Sequence, residues 1–120
     1  MSLISEQGAF LLDVCRFLTY LTEQGLTVTA GEVYRTVEQQ EIYVKTGRSK
    51  TMNSQHMKRL AIDLNIFRGG RLLATRDDLK AVGEHWEAMN PKNRWGGSWR
   101  GAVDVGRSSF IDAPHFERMA

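Results

Sequence analysis

An intrachain disulfide is excluded from the outset, because Cys15 is the only cysteine in 120 residues. It lies in an apolar helical stretch, where a small buried hydrophobe is expected rather than a nucleophile. Histidine is also scarce, with three residues, so each needs an explanation. No apolar run approaches the length of a membrane span, and no membrane insertion is expected. The first residues lack the basic start, apolar core and small-residue cleavage site of a secretory signal. The expectation is a chain made in the cytoplasm that depends on another component for release if it acts outside. No repeat, low-complexity tract or linker interrupts it, which predicts a single domain over residues 1–120. A strong charge of one sign is missing too: the formal net charge is +2 and the pI about 8.9. That balance eases approach to an anionic polymer, cell wall or nucleic acid alike, and selects neither.

What is present is an ordinary globular composition, 42% hydrophobic and 25% charged, enough for one core without disulfides. Phe10, Val14, Phe17, Leu18 and Leu21 recur at helical spacing, with Glu6, Asp13, Arg16 and Glu23 mostly off that stripe. Gly25 is the stop signal. Leu26, Val28 and Ala30 alternate with threonines, predicting a short half-buried strand. Thr36 with Gln39 is a capping-box pattern that opens a helix ending near Gly47. A polar loop follows to Asn53. Leu60 to Phe67 reads as a strand, and Arg68-Gly69-Gly70-Arg71 as the turn of a hairpin. Asp77 or Asp78 opens a helix with the stripe Leu79, Val82, Trp86 and Met89, ended by Asn90-Pro91. A last strand is expected around His115-Phe116-Glu117. Helices mixed with short strands, not in βαβ alternation, predict the α+β class.

Three segments carry groups that a core does not need: Ser54 to Asp63, Trp95 to Trp99, and Asp112 to Glu117. Zinc in a hydrolase takes three protein ligands, imidazole nitrogens or carboxylate oxygens, and keeps a fourth position open. His56 and His115 each lie beside a strand-like stretch. Asp63 sits within the apolar Leu60-Ala61-Ile62-Asp63-Leu64, where a carboxylate is costly unless paired or bound to a cation. Asp63 is thus either a ligand or the buried partner of Arg35 or Arg59. Asp112, three positions before His115 and stiffened by Pro114, has two readings: a general base beside a metal site, or the residue of an Asx-turn. His85, on the third helix, is expected to be exposed and not a ligand.

These segments resemble the D-alanyl-D-alanine carboxypeptidase and L-alanyl-D-glutamate endopeptidase family of zinc peptidases, which includes vancomycin-resistance carboxypeptidases and phage endolysins. The motif S-x-H-x-x-G-x-A-x-D is matched by Ser54, His56, Ala61 and Asp63. D-x-P-H-F is matched by Asp112, Pro114, His115 and Phe116, and W-G-G-x-W by Trp95 to Trp99. Tyr34, Arg35, Thr36 and Gln40 match an upstream Y-R-[ST]-x-x-x-Q element. Four motifs in order, over roughly residues 26–118, are far more specific than one. The resemblance implies a single small hedgehog/DD-peptidase-like domain, a short antiparallel sheet flanked by helices. It implies one Zn2+ held by His56, Asp63 and His115, with Asp112 as catalytic base and Arg35 as the cation that polarises the substrate. Ser54, Gln40, Trp95 and Trp99 become candidate contacts for a peptidoglycan stem peptide.

Within that picture several readings stay open. Arg35 has the alternative of a salt bridge with Glu38 or Glu41. Ser54 either bonds substrate or shapes the loop before His56. The Trp95 to Trp99 stretch either walls a cleft, its glycines admitting substrate backbone, or plugs the core. Arg59 replaces the family glycine, which implies ordinary backbone angles at that position or a long side chain lining the cleft. The expected function is an endolysin-type L-alanyl-D-glutamate endopeptidase of phage or prophage origin, released through a holin, monomeric, with no nucleic-acid partner. The alternatives are a D-alanyl-D-alanine carboxypeptidase or dipeptidase, and a non-catalytic wall-binding domain of the same fold. A nucleic-acid-binding module using Lys45, Arg48, Lys50, Lys58, Arg59, Arg68 and Arg71 is the reading from another class.

Overall fold

A computed structural model describes residues 2–49, 51–98 and 112–119. Helix α1 spans Leu3–Glu23 and is capped by Ser2, whose side chain accepts from the Ser5 N–H. It is followed by β1, Thr27–Ala30, and by α2, Val37–Lys45. A 3-10 turn at Gln55–Lys58 leads into β2, Ala61–Arg68, and then β3, Arg71–Leu73. Helix α3 covers Arg76–Met89, β4 covers Asn93–Trp95 and β5 covers His115–Arg118. The result is α+β: a five-stranded antiparallel sheet in the order β1-β2-β5-β4, with β3 also paired to β2. Among the described residues no helix is long and apolar enough to cross a membrane.

β2 organises the molecule. Its first residues pair with β5 and its later ones with β1 and β3. Successive side chains point to opposite faces, so Ile62, Leu64 and Ile66 enter the core while Ala61, Asp63 and Asn65 share the other face. On the core side α1 contributes Phe10, Val14, Phe17 and Leu21, and α3 contributes Leu79, Val82 and Trp86. Phe17 sits 5.2 Å from Trp86 and 5.0 Å from Phe116, ring centre to ring centre. Truncating either Phe17 or Trp86 to alanine costs about 3–5 kcal/mol at such fully buried positions.

The hairpin turn follows the glycine signal: Gly69 and Gly70 both have positive φ, +56° and +79°, as the tight turn between Arg68 and Arg71 demands. Thr36 caps α2 by accepting from the Gln39 N–H at 3.1 Å. The start of α3 differs from expectation. Thr75 is the cap, accepting from Asp78 N–H at 3.1 Å, and Asp77 and Asp78 lie in the first turn, where their charge suits the helix N-terminus. β4, only three residues long, gives too short a pattern for periodicity to detect.

Three expectations about individual side chains are corrected. Glu6 and Asp13 are not off the buried stripe of α1, at 3% and 7% exposure. Arg118 of β5 donates to both, at 3.0 and 3.3 Å, and Lys92 lies 3.2 Å from Glu6. Burial pushes the Glu6 carboxyl up, but the hydrogen bonds and charges of Arg118 and Lys92 outweigh it and hold the pKa below the usual value. Cys15 is exposed rather than buried. His85 is half-buried, stacked on Tyr20 with ring centres 3.5 Å apart, and lies outside the histidine cluster described next.

Candidate metal centre

Asp63 and His115 face each other directly across β2 and β5. The Asp63 N–H donates to Glu32 C=O and its C=O accepts from Gly31 N–H, at 2.9 and 2.7 Å. Its backbone is thereby turned away from β5, which makes this the non-hydrogen-bonded kind of pair, whose side chains approach most closely. His56 arrives on the 3-10 turn before β2, its N–H bound to Ser54 Oγ at 3.2 Å. Three ligand atoms then converge. His56 Nε2 lies 3.1 Å from His115 Nδ1, and Asp63 Oδ1 lies 3.3 Å from each. For bonds of about 2.0–2.1 Å, a tetrahedral ion needs ligand atoms about 3.3 Å apart. The donor set, its spacing and the second-layer bonds therefore fit a bound metal ion of the zinc type.

The two histidines present different nitrogens. His56 Nδ1 bonds the Val33 carbonyl at 2.9 Å, leaving Nε2 for the centre. His115 Nε2 meets Glu117 Oε1 at 2.7 Å, leaving Nδ1. The side chains of His56 and His115 are 2% and 5% exposed while that of Asp63 is 27%, so access is from the Asp63 side. Burial raises the Asp63 carboxyl, but hydrogen bonds from both histidines and their charges pull it down to about 2. Burial lowers His115, yet its bonds to Asp63 and Glu117 prevail and hold it near 9 in the metal-free chain.

Asp112 enters through its backbone. Its N–H donates to Gly96 C=O and its C=O accepts from His115 N–H, both at 3.1 Å. A Cβ on Gly96 would stand 2.0 Å from the Asp112 carbonyl oxygen and 3.0 Å from His115 Cβ. The glycines of the Trp95 to Trp99 stretch therefore admit the protein's own backbone and the Trp95 ring. Burial raises the Asp112 carboxyl above its usual value; His115 opposes this, the Asp63 charge adds to it, and His56 and Arg35 oppose it.

Arg35 is fixed on several sides. Its Nε donates to Glu32 Oε1 at 2.7 Å and its second terminal nitrogen bonds the same oxygen. The other terminal nitrogen reaches Gln40 Oε1 at 2.7 Å and Ser54 Oγ at 3.3 Å. The guanidinium also lies over the Tyr43 ring, 4.6 Å from its centre. Its ion-pair partner is Glu32, not Glu38 or Glu41, because Glu32 lies on the same extended segment while the other two sit on α2. Gln40 is fully buried and spends its amide on Arg35, Ser49 and Thr51, so its place is behind Arg35. Ser54 shapes the loop and bonds Arg35.

Trp95 is 2% exposed and donates through Nε1 to Ala113 C=O at 2.7 Å. Of the two readings it is the plug, and it braces the segment leading to His115. Trp99 lies outside the described residues. Arg59 overturns the expectation of ordinary angles: at φ 58° and ψ 38° it is the one non-glycine with positive φ among the described residues. It ends the His56 turn and sends the chain into β2, with its guanidinium 4.1 Å from the centre of the Tyr34 ring. Sequence reasoning missed Glu32 and Glu117. For Glu117 the signal was there: it lies two residues beyond His115 in a strand and so shares its face.

A crystal structure of Serratia marcescens L-Ala D-Glu endopeptidase ChiX matches the fold with a TM-score of 0.59 and 23% identity, over 78% of this chain and 68% of that one. The L-alanyl-D-glutamate peptidase of Listeria phage A118 is 32% identical over 104 residues, 85% of this chain. The chain spans about a third of that relative's length, 34%. The family model described as phage L-alanyl-D-glutamate peptidase matches residues 9–119, nearly the whole of the chain, and to that family the chain belongs.

Proposed function

We propose that the chain is a zinc-dependent peptidoglycan hydrolase of the endolysin type that cuts the L-alanyl-D-glutamate bond of the stem peptide. The observation that carries the reading is the convergence of His56 Nε2, His115 Nδ1 and Asp63 Oδ1 at 3.1–3.3 Å on one partly open face. When bound there, zinc supplies Lewis acidity that polarises water and the scissile carbonyl. Asp112, its carboxyl raised by burial, takes the proton of the attacking water and returns it to the leaving amine. Arg35, pre-positioned by Glu32 and Gln40, donates to the carbonyl oxygen as negative charge develops on it, with little reorganisation left to undergo. The chain works as a monomer on the cell wall after release from the cytoplasm, in the manner of a holin-dependent lysis enzyme.

Mass spectrometry of purified peptidoglycan digested with and without zinc tests this reading. Zinc-dependent appearance of stem peptides with a free D-glutamate N-terminus is expected. Release of terminal D-alanine instead would move the protein to the carboxypeptidases, and unchanged fragments would remove it from this chemistry.

A further inference from the structure

Glu117 has no place in the mechanism above, yet it is an 8% exposed carboxylate with one oxygen 2.7 Å from His115 Nε2. A buried carboxylate is costly unless it is paired, and here the pairing is with a ligand of the proposed centre. We infer that Glu117 is a positioning residue that holds the Nε2–H of His115 so that the ring offers only Nδ1 to the metal. An ionised carboxylate is an acceptor only, so the nitrogen facing it carries the hydrogen. When an ion displaces the other ring proton, the lone pair is therefore the one on Nδ1, which lies 3.1 Å from His56 Nε2 and 3.3 Å from Asp63 Oδ1.

The placement follows from strand geometry. His115 and Glu117 share one face of β5, opposite Asp63 and Ala61 of β2. Ala61 is fully buried, and its single methyl leaves Glu117 room to lean along the strand toward His115. The Glu117 main chain is held independently: its carbonyl accepts from Trp86 Nε1 at 3.1 Å and it pairs with Arg94 of β4. The two histidines are thus oriented by different groups. A neutral carbonyl, that of Val33, sets His56, whereas an anion sets His115 and also makes its Nδ1 a better donor.

This inference rests on the metal-centre reading, and the experiment separates the two. Zinc affinity is measured by competition with a chromophoric chelator on the wild type, Glu117→Gln and Glu117→Ala. Long-range 1H–15N NMR of the zinc-loaded wild type reports which nitrogen of His115 carries hydrogen. Zinc binding weakened by about 10–100-fold in both variants is expected, with hydrogen on Nε2 and metal on Nδ1 in the wild type. Unchanged affinity in the variants overturns the inference and leaves the metal centre standing. Hydrogen on Nδ1 in the loaded wild type also overturns it, and that refutation needs neither variant to fold. A folded wild type that binds no zinc sinks the metal centre and the inference together.

Discussion

Arg59 occupies a backbone conformation that its side chain disfavours, and substitutions there have a calculable signature. At φ 58° a residue with a Cβ pays about 1–2 kcal/mol relative to the right-handed region. Glycine escapes that cost but loses about 0.5–1 kcal/mol through the greater freedom of its unfolded chain. At an ordinary position alanine is therefore the more stable of the two; here the order reverses, with glycine ahead by about 0.5–1 kcal/mol. The Arg59 guanidinium over Tyr34, 4.1 Å from the ring centre, is worth about 0.5–1 kcal/mol at an exposed site. Arg59→Ala loses that contact and keeps the backbone cost, so it falls below the wild type by about that amount. Arg59→Gly loses the contact but relieves the backbone, and ends close to the wild type. Urea denaturation of the three zinc-loaded proteins should give the order wild type and glycine together, alanine below. The corresponding melting shift is a few degrees, about 4 °C per kcal/mol for a domain of this size. An alanine variant as stable as the glycine variant would refute the reasoning, since it would mean that the left-handed backbone carries no penalty here.

Arg35→Ala should lower turnover about 10²–10³-fold while zinc content persists; near-normal turnover would reduce Arg35 to the partner of Glu32. Asp112→Asn should keep zinc and lose about 10²–10⁴ in rate, whereas His115→Ala should lose the metal; zinc analysis and hydrolysis rates on both variants check the assignment, and loss of zinc from Asp112→Asn would make the carboxylate a ligand. Because His115 is held near 9 in the metal-free chain, zinc binding at pH 7 must displace its proton. Calorimetry in buffers of different ionisation enthalpy should find about one proton released from this group at pH 7, falling away as pH passes about 9. The same raised value means that in the metal-free chain this ionised histidine stabilises the fold fully below about 6.5 and ceases to do so as pH rises through about 9. Urea midpoints of chelator-treated protein across that window check the sign.

Elements whose signal is local were legible in the sequence. The α1 stripe, the Thr36 cap and the Gly69-Gly70 turn each depend on neighbours a few residues apart, and each lies where expected. Glu6 and Asp13 were misplaced because their burial depends on Arg118, more than 100 residues further along. Helical periodicity treats a carboxylate as an outward-facing group and has no access to a partner that arrives from another strand. The sequence does not choose between a cleft wall and a plug at Gly96 and Gly97, because a glycine shows only that something comes close. The Asp112 carbonyl and the Trp95 ring fill that room. Of the two expectations at Arg59, the ordinary angles fail for a related reason: an arginine gives no hint of positive φ, and the chain reversal between His56 and β2 imposes it.

Asp63 was legible for the opposite reason, since it interrupts a run of apolar residues. In β2 that interruption does two things at once. Alternation sends Ile62, Leu64 and Ile66 into the core and leaves Ala61 and Asp63 on the outer face. A slip of one residue would bury Asp63 among the aromatic rings of α1 and α3 and turn Ile62 toward His115. The hydrophobic pattern that fixes the register of β2 thereby also fixes the distance between the Asp63 and His115 side chains. The reverse coupling follows as well. His56, Asp63 and His115 come within 4.8 Å of one another only when β5, from the far end of the chain, is paired to β2. An ion bound by all three adds its binding free energy to that long-range pairing and to nothing in the unfolded chain. Closing the sheet and completing the metal centre are, on this geometry, the same event.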